Sequence, residues 1–545
     1  MFSSGSCKAD LVLMNGKVVT VDPSFRIAEA IAVKGERIVA VGSNEEVKGF
    51  AGDGTEVIDL EGRTVLPGLI DSHIHMLGTG LSMFMIDCRT PPRSSISDII
   101  DAVRERAERL RPGDWIEGRG WDQAKLAEHR FPTRWDLDKA APENPVILTR
   151  TCGHIVVVNS RALEIAGISR DTPQPSGGVI DKDESGEPTG ILREAPAFNL
   201  VRRCIPPPTF ERKVEAIGMA SKALNEAGIT GVIEPGLSAE DMRAYQKALS
   251  DGKLTVRVSM MLRGLEGGEP IEEGLRRIRE FPLLTGFGCS MLRFLGLKLL
   301  IDGGIGGRTA LLREPYEGEP ENYGVLTLPR ESLQRLVDEA NQQGMTVGVH
   351  CAGGGAMDIV LEAFKETDRR RSIGGRRYTL IHAYQPTRGN IEDCRLLGVV
   401  VASQPSFLYY LGDSYYENVG PRRASELLPH RSWIDGGVLV ASGTDSPVTP
   451  YHPFVSLWAS IARRTEVKNL ELGRGEGVTR EEAIRMYTWN GAYASFMEGL
   501  TGSIEPGKLA DLIIIDRDIL TCPEDEIKDV RVLRTILGGR TVYKA

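Results

Sequence analysis

Apolar runs separated by helical patterns recur through the middle of the chain. Eight runs have the length and composition of buried strands, and most are followed by apolar positions spaced as on one helix face. The clearest of these helices follows Pro329 and ends before Gly344. Eight strand and helix pairs predict a (β/α)8 barrel, with an open doubly wound sheet as the alternative. The predicted strands begin near Val65, Ile229, Thr255, Arg293, Met345, Tyr378, Val399 and Val438.

Both ends of the chain carry short β-rich runs without intervening helices. Near the start, residues 10–14 and 17–21 flank Asn15-Gly16, a dipeptide that predicts a hairpin turn. Neither end has enough strands for a domain of its own. The sequence therefore predicts a discontinuous β-sandwich from residues 1–64 and 498–545, enclosing a barrel over 65–497. Two unrelated β appendages are the alternative.

The gap between the first two predicted barrel strands is far too long for a single connection. Residues 76–225 are therefore expected to hold an insertion after the first strand. It opens with an amphipathic helix in which Ile96, Ile99 and Val103 share a face. Ser95 and Asp98 have the spacing of a capping box at its start.

Composition and charge narrow the class of protein. The 545 residues are 41% hydrophobic and 26% charged, which is typical of globular domains. A net charge of −9, with no dense block of Lys and Arg, makes nucleic acid a poor candidate partner. The eight cysteines are scattered, as expected for reduced thiols in a cytoplasmic protein. Neither a signal peptide nor a membrane span is expected.

Histidines concentrate where predicted barrel strands end. His73 and His75 follow the first run two residues apart, so on a strand they would face the same way and could bind a metal such as zinc. A polar strand end that meets solvent is the alternative reading of this pair alone. The fifth, sixth and eighth runs end in His350, His382 and Asp445. Because barrel enzymes place their chemistry at these ends, we expect all five side chains to converge.

The converging residues have the donor atoms for two divalent ions. His73, His75 and Asp445 could hold one ion, and His350 and His382 could hold a second. Two close cations need a bridging anion.

Lys298, on the fourth strand, could supply that anion if its amine adds CO₂ to form a carbamate. The alternative is an ammonium that is ion-paired with Asp302 or binds a substrate carboxylate.

These residues resemble the metal-binding pattern of the amidohydrolase superfamily. The tail at 502–512 is similar to the superfamily's return into its small β-sandwich, so the resemblance covers nearly the whole chain. Further stretches resemble the branch that contains N-substituted formamide deformylase and related metal-dependent hydrolases. In that branch a Gly-Asp pair commonly follows the fifth-strand histidine, whereas this chain has three glycines at 353–355. The stretches that resemble the branch are Trp121, Asn144-Pro145-Val146, Gly153-His154, Asn159-Ser160 and the segment 190–194.

The resemblance implies one or two divalent metal ions per chain, usually zinc, and hydrolysis of an amide-type C–N bond. The bond would belong to a formamide, an N-acyl compound or a cyclic amide of small size, and metal-activated hydroxide would cleave it. Asp445 is expected to transfer the proton, and His154 is expected to donate to the carbonyl oxygen. A deaminase or esterase at the same centre is an alternative, as is a catalytically inactive barrel that only binds ligands.

Residues outside the metal set are candidates for binding substrate. Trp121, Asp302 and Arg308 are predicted to line the pocket, with a packed Trp and a surface Arg as alternatives. An aromatic-rich loop over 407–416 would form either an apolar substrate wall or a dimer contact.

Overall fold

The computed structural model describes residues 8–150, 153, 155–175, 178–265 and 269–545. The chain divides into two compact units. Unit one comprises residues 1–79 and 214–545, and unit two comprises residues 80–213.

Unit one contains a sheet of eight parallel strands, in which each strand pairs with the next along the chain. Two bonds join the first strand to the last: Ser72 N–H donates to the Ser442 carbonyl at 2.9 Å, and Asp445 N–H donates to the His73 carbonyl at 2.8 Å. Together with the surrounding helices, this sheet confirms the predicted barrel fold. The barrel strands are Leu69–Asp71, Ile229–Leu237, Arg257–Arg263, Leu292–Leu300, Thr346–Cys351, Thr379–His382, Val400–Ser403 and Val440–Ser442.

The first barrel strand starts later than the sequence predicts, whereas the other seven start within two residues of the expected positions. Thr64–Pro67, which was expected to open the barrel, pairs instead with Lys17–Val19 and Leu512–Ile515. The chain changes sheets at Gly68. A Cβ atom there would lie 2.2 Å from the Thr230 hydroxyl oxygen, so the crossing requires glycine.

Strands from the chain ends form two further sheets, and strands from both ends share the second of them. Asn15-Gly16 does not form the predicted hairpin, because the strands on its two sides belong to different sheets. A common core of apolar residues from both ends lies in this region. The first sheet contains Leu11–Met14, Ala30–Lys34, Arg37–Gly42 and Glu56–Asp59, and the second contains Lys17–Val19, Ile27–Ala28, Thr64–Pro67, Leu512–Ile515, Val532–Leu537 and Arg540–Lys544.

The helices of unit one mostly connect barrel strands. The aromatic-rich stretch after strand seven was predicted to be a loop. It lies instead within the helix Ser406–Ser425, where Phe407 and Tyr415 are buried. The helices are Asn44–Lys48, Ala239–Ser250, Ile271–Glu280, Arg330–Gln342, Gly354–Arg370, Arg388–Leu397, Ser406–Ser425, His430–Asp435, Pro453–Ala462, Arg480–Met486 and Trp489–Ala494. Met76–Ser82 and Phe210–Glu226 cross the boundaries between the units.

Unit two is built on a six-stranded mixed sheet. Its first helix carries the predicted capping box, in which the Ser95 hydroxyl accepts from the Asp98 N–H. The strands are Ile86–Asp87, Ile116–Trp121, Val146–Arg150, Ile155–Val158, Val179–Lys182 and Pro188–Arg193, and the helices are Ile96–Ala107, Arg134–Asp138, Ser160–Ile165 and Ala195–Arg202. Across the described part of both units, no helix is long and apolar enough to cross a membrane.

Candidate metal centre

Three buried side chains at the ends of strands one, six and eight lie close together. Ligand atoms of His73, His382 and Asp445 all lie within 4.8 Å of one another. His73 Nε2 is 3.5 Å from Asp445 Oδ1, and His382 Nε2 is 4.0 Å from Asp445 Oδ2. The more exposed His75 also reaches this carboxylate, with Nε2 at 3.3 Å from Oδ1. This compact group draws on both of the ligand sets predicted from the sequence.

The Asp445 carboxylate has the surroundings of a cation ligand. It is 7% exposed, and within the described residues its Oδ1 accepts no hydrogen bond. A buried carboxylate oxygen without a donor costs free energy, and a cation between it and the imidazoles would remove that cost. Imidazole nitrogen and carboxylate oxygen are the ligands that zinc-type ions prefer. The residues therefore fit a divalent metal.

Two of these side chains are aimed by unusual backbone conformations. His382 has φ of 77° and Asp445 has φ of 54°, in the left-handed region that residues other than glycine rarely adopt. Strand alternation would turn His382 away from Ile381, which faces the barrel interior beside Gly348. The left-handed turn brings the imidazole back towards Asp445. Such strain is common at functional sites.

Buried polar contacts hold these conformations in place. Gln404 Oε1 lies 2.6 Å from His382 Nδ1, which we assign as the N–H donor, and this leaves His382 Nε2 to face the metal. Asp71 accepts from the His73 N–H and from the Thr444 N–H and hydroxyl, at 3.1, 3.1 and 2.7 Å. Asp71 thus ties strand one to the loop after strand eight.

His350 lies beside the centre, with its Nε2 against the loop that follows strand four. Its ring centroid is 4.3 Å from that of His382. His350 Nε2 lies 3.0 Å from the Gly303 carbonyl and 3.5 Å from Asp302 Oδ1. Its Nδ1 is therefore the atom that remains for a metal.

Asp302 supports the loop around His350. This fully buried carboxylate accepts from the backbone N–H groups of Leu311, Ala352 and Gly353 at 2.8–2.9 Å. An acidic group from strand four's loop thus stands beside the glycines at 353–355. Its hydrogen bonds with described residues all come from backbone N–H groups, so its carboxylate holds this loop together.

Lys298 is buried on strand four with no hydrogen bond or ion pair to any described residue. The ion pair with Asp302, one alternative for this lysine, is therefore not formed. Burial lowers the pKa of the Lys298 ammonium to about 8. Burial, followed by the charge of Lys298, also lowers the pKa of His350 to about 4 and that of His73 well below its ordinary value. Neutral imidazoles are the form that binds metal.

The other predicted site residues make contacts with protein groups. Trp121 is fully buried in the core of unit two, and its indole N–H donates to the Leu148 carbonyl at 2.9 Å. Arg308 Nε donates to Asn418 Oδ1 at 3.0 Å, and its guanidinium also pairs with Glu319. His154 lies outside the described residues, so its role stays a prediction.

Three supporting residues were missed by the sequence reasoning: Asp71, Gln404 and Glu234. Glu234 is buried at strand two and accepts from the N–H groups of Met76 and Leu77, directly after His75. Burial raises its pKa to about 7. A lone carboxylate within an apolar run is a signal that could have identified Glu234, whereas nothing in the sequence around Gln404 distinguishes it from an ordinary loop residue.

Comparisons with known proteins identify the family of the chain. The model of the amidohydrolase family matches residues 56–543. N-substituted formamide deformylase from Arthrobacter pascens is 32% identical over 542 residues, which cover 98% of each chain.

Two solved structures of uncharacterised metal-dependent hydrolases are also similar. The one from Pyrococcus furiosus has a TM-score of 0.76 and 30% identity, and covers 94% of this chain and 100% of its own. The one from Pyrococcus horikoshii OT3 has a TM-score of 0.77 and 29% identity, and covers 94% of this chain and 99% of its own. These matches confirm the predicted enzyme class, a metal-dependent amidohydrolase. The chain belongs to the amidohydrolase family.

Proposed function

We propose that the protein hydrolyses the C–N bond of a small formamide or N-acyl amide at a zinc centre. The observation that carries this proposal is the buried group of His73, His382 and Asp445. It occurs in a chain that is 32% identical, over nearly its full length, to an N-substituted formamide deformylase. Zinc is proposed over magnesium and calcium, which prefer oxygen ligands, because three of the candidate ligands around Asp445 are imidazoles.

The metal would be held by a set of residues that includes a modified lysine. Lys298, with a pKa of about 8, keeps part of its amine neutral near neutral pH. The neutral nitrogen adds to the carbon of CO₂ and releases a proton, which gives an anionic carbamate. That carbamate would replace a buried, unpaired cation by a bridging anion. The proposed ligands are His73, His75, Lys298, His350, His382 and Asp445.

The residues around the centre have separate tasks in the reaction. When bound, a divalent ion supplies Lewis acidity and lowers the pKa of water to about 7. Asp445 accepts the proton as the water oxygen adds to the amide carbon, and it returns the proton to the nitrogen as the C–N bond breaks. The products are a carboxylic acid and an amine. Gln404 keeps His382 in the orientation and tautomer that this arrangement needs.

A substrate screen of the zinc-loaded protein tests the proposal. N-alkylformamides, N-acyl amides and cyclic amides are assayed for acid and amine, alongside esters and aminated heterocycles. We expect one equivalent of amine for each equivalent of acid, and no turnover after the metal is removed by chelation. Ammonia release from a heterocycle without amide cleavage would instead support a deaminase. A fully metal-loaded protein that cleaves none of these compounds would support a binding barrel.

The cytoplasmic location and the dimer stay predictions. The cysteines among the described residues are free thiols, including the exposed Cys289, as in a protein that keeps its thiols reduced. Cell fractionation tests the location, and light scattering of the purified protein tests the dimer.

A further inference from the structure

Leu300 ends strand four on the face that carries the metal-centre side chains. Leu299 is buried on the other face, where its Cδ2 lies 2.4 Å from the position of a Cβ built on Gly264. Because side chains alternate along a strand, Lys298 and Leu300 point to the same side. Lys298 is 9% exposed and Leu300 is 48% exposed, so Leu300 stands one step further towards solvent.

The sheet register places Leu300 beside the metal centre. Leu300 pairs with His350 on the neighbouring parallel strand, as Lys298 pairs with Gly348. Residues paired in this way point to the same side of a sheet, so Leu300 and His350 lie next to each other at the open end of the barrel. A half-exposed leucine therefore stands at the entrance to a set of polar ligands.

A second exposed leucine, Leu326, lies where the following segment returns to strand four. The Thr327 N–H donates to the Ile301 carbonyl at 2.8 Å, which places Leu326 next to the end of the strand. Isolated exposed apolar residues need no explanation, but a group of them at one position marks a binding surface. We call this group the apolar rim. It comprises Leu300 and Leu326, which are 48% and 36% exposed.

We propose that Leu300, with the apolar rim around it, binds an uncharged alkyl or aryl substituent of the substrate. This inference rests on the proposed function, since it concerns the group attached to the amide that the metal centre would cleave. Arg263, which pairs in register with Lys298, is the competing recognition element and would favour a carboxylate instead. Its Nε already donates to the Gly236 carbonyl at 2.9 Å. The rim, by contrast, offers only apolar side chains.

Binding of metal-chelating probes tests the inference without requiring catalysis. Acetohydroxamate and hexanohydroxamate share the group that would bind zinc and differ only in the length of the apolar tail. Their affinities for the full-length, zinc-loaded protein are measured by isothermal titration calorimetry. Three proteins are compared: the natural chain, Leu300→Ala, and Leu396→Ala. The last is a matched control, because Leu396 is 66% exposed on a helix outside the barrel strands.

We expect the longer tail to increase affinity about tenfold in the natural chain and in Leu396→Ala, and by about threefold or less in Leu300→Ala. An equal gain in Leu300→Ala and the natural chain would overturn the proposal. So would tighter binding of a tail that ends in a carboxylate, which would move recognition to Arg263. Failure of both hydroxamates to bind the zinc-loaded protein would overturn it as well.

Two further results separate this inference from neighbouring ones. If the longer tail increases affinity through Leu300 but the protein cleaves no amide, the apolar site is supported and the proposed function is wrong. If Leu300→Ala instead converts a dimer into a monomer and leaves the tail dependence unchanged, the rim is a subunit contact and the proposal is wrong.

Discussion

The contact between Gln404 and His382 gives a quantitative prediction about the metal centre. Gln404 is fully buried, and its Oε1 lies 2.6 Å from His382 Nδ1. Replacing Gln404 by leucine removes the acceptor while keeping a side chain of similar size. The buried His382 N–H then has no partner, and the imidazole is free to rotate or to change tautomer.

The expected magnitude follows from the cost of that lost partner. An unsatisfied buried donor costs about 1–3 kcal/mol. At about 1.4 kcal/mol for each factor of ten, this corresponds to roughly 5–150-fold in affinity. Loss of a contact that orients a metal ligand costs about 10–100-fold in other metal sites, a range that overlaps with this one. We therefore expect Gln404→Leu to bind zinc about 10–100-fold more weakly.

The assay is a competition for zinc between the metal-free protein and a chromophoric chelator. Gln404→Glu is the matched control, because a carboxylate still accepts from His382 Nδ1 and should keep affinity close to that of the natural chain. Melting curves check that each variant is folded. The reasoning would be refuted if Gln404→Leu bound zinc as tightly as the natural chain, or if both variants weakened it equally.

Three further perturbations test other parts of the account. Asp445→Asn should lower kcat about 10²–10⁴-fold in the amide assay, and turnover near the natural rate would remove its role as the proton carrier. Burial holds the pKa of His430 at about 3, below its ordinary 6.5, so the stability that a neutral imidazole contributes above pH 6.5 is lost as pH falls towards 3. When the pH is lowered from 7 to 5, the melting temperature of His430→Leu should therefore fall less than that of the natural chain. An equal fall in both proteins would contradict this. Asp511 forms a buried, two-bonded ion pair with Arg257 at 2.7 and 2.8 Å. Asp511→Ala should destabilise the protein by about 3–5 kcal/mol, visible as a lower melting temperature, because it leaves the guanidinium uncompensated, and an unchanged melting temperature would contradict that.

Much of the barrel could be predicted because its strands are apolar runs with clear ends. The first strand could not, since residues 64–71 form one apolar run that passes from the terminal sheet into the barrel at Gly68. A hydrophobic run indicates that a segment is buried, but it does not indicate in which sheet. Because both sheets bury their strands, the run has no visible break at the crossing. The turn preference of Asn15-Gly16 is likewise local, whereas the partners of its flanking strands are fixed by distant residues.

The residues that meet around Asp445 could be predicted better than the way in which they group. Residue type and position at a strand end indicate that a side chain belongs to the centre. The positive φ angles of His382 and Asp445, which turn both side chains towards His73, leave no trace in the residue pattern. For Trp121 the residue type itself was misleading. A tryptophan in a distinctive stretch was expected to line a pocket, but its side chain is packed in the core of unit two.

The central claim is that His73, His382 and Asp445 jointly hold a metal ion. Elemental analysis of protein produced with ample metal, reported as metal per chain, tests this claim most directly when the natural chain is compared with His382→Ala. The account predicts about one or two zinc ions per natural chain and a clear loss in the variant. A natural chain that holds well below one equivalent, or a variant that holds as much as the natural chain, would contradict it.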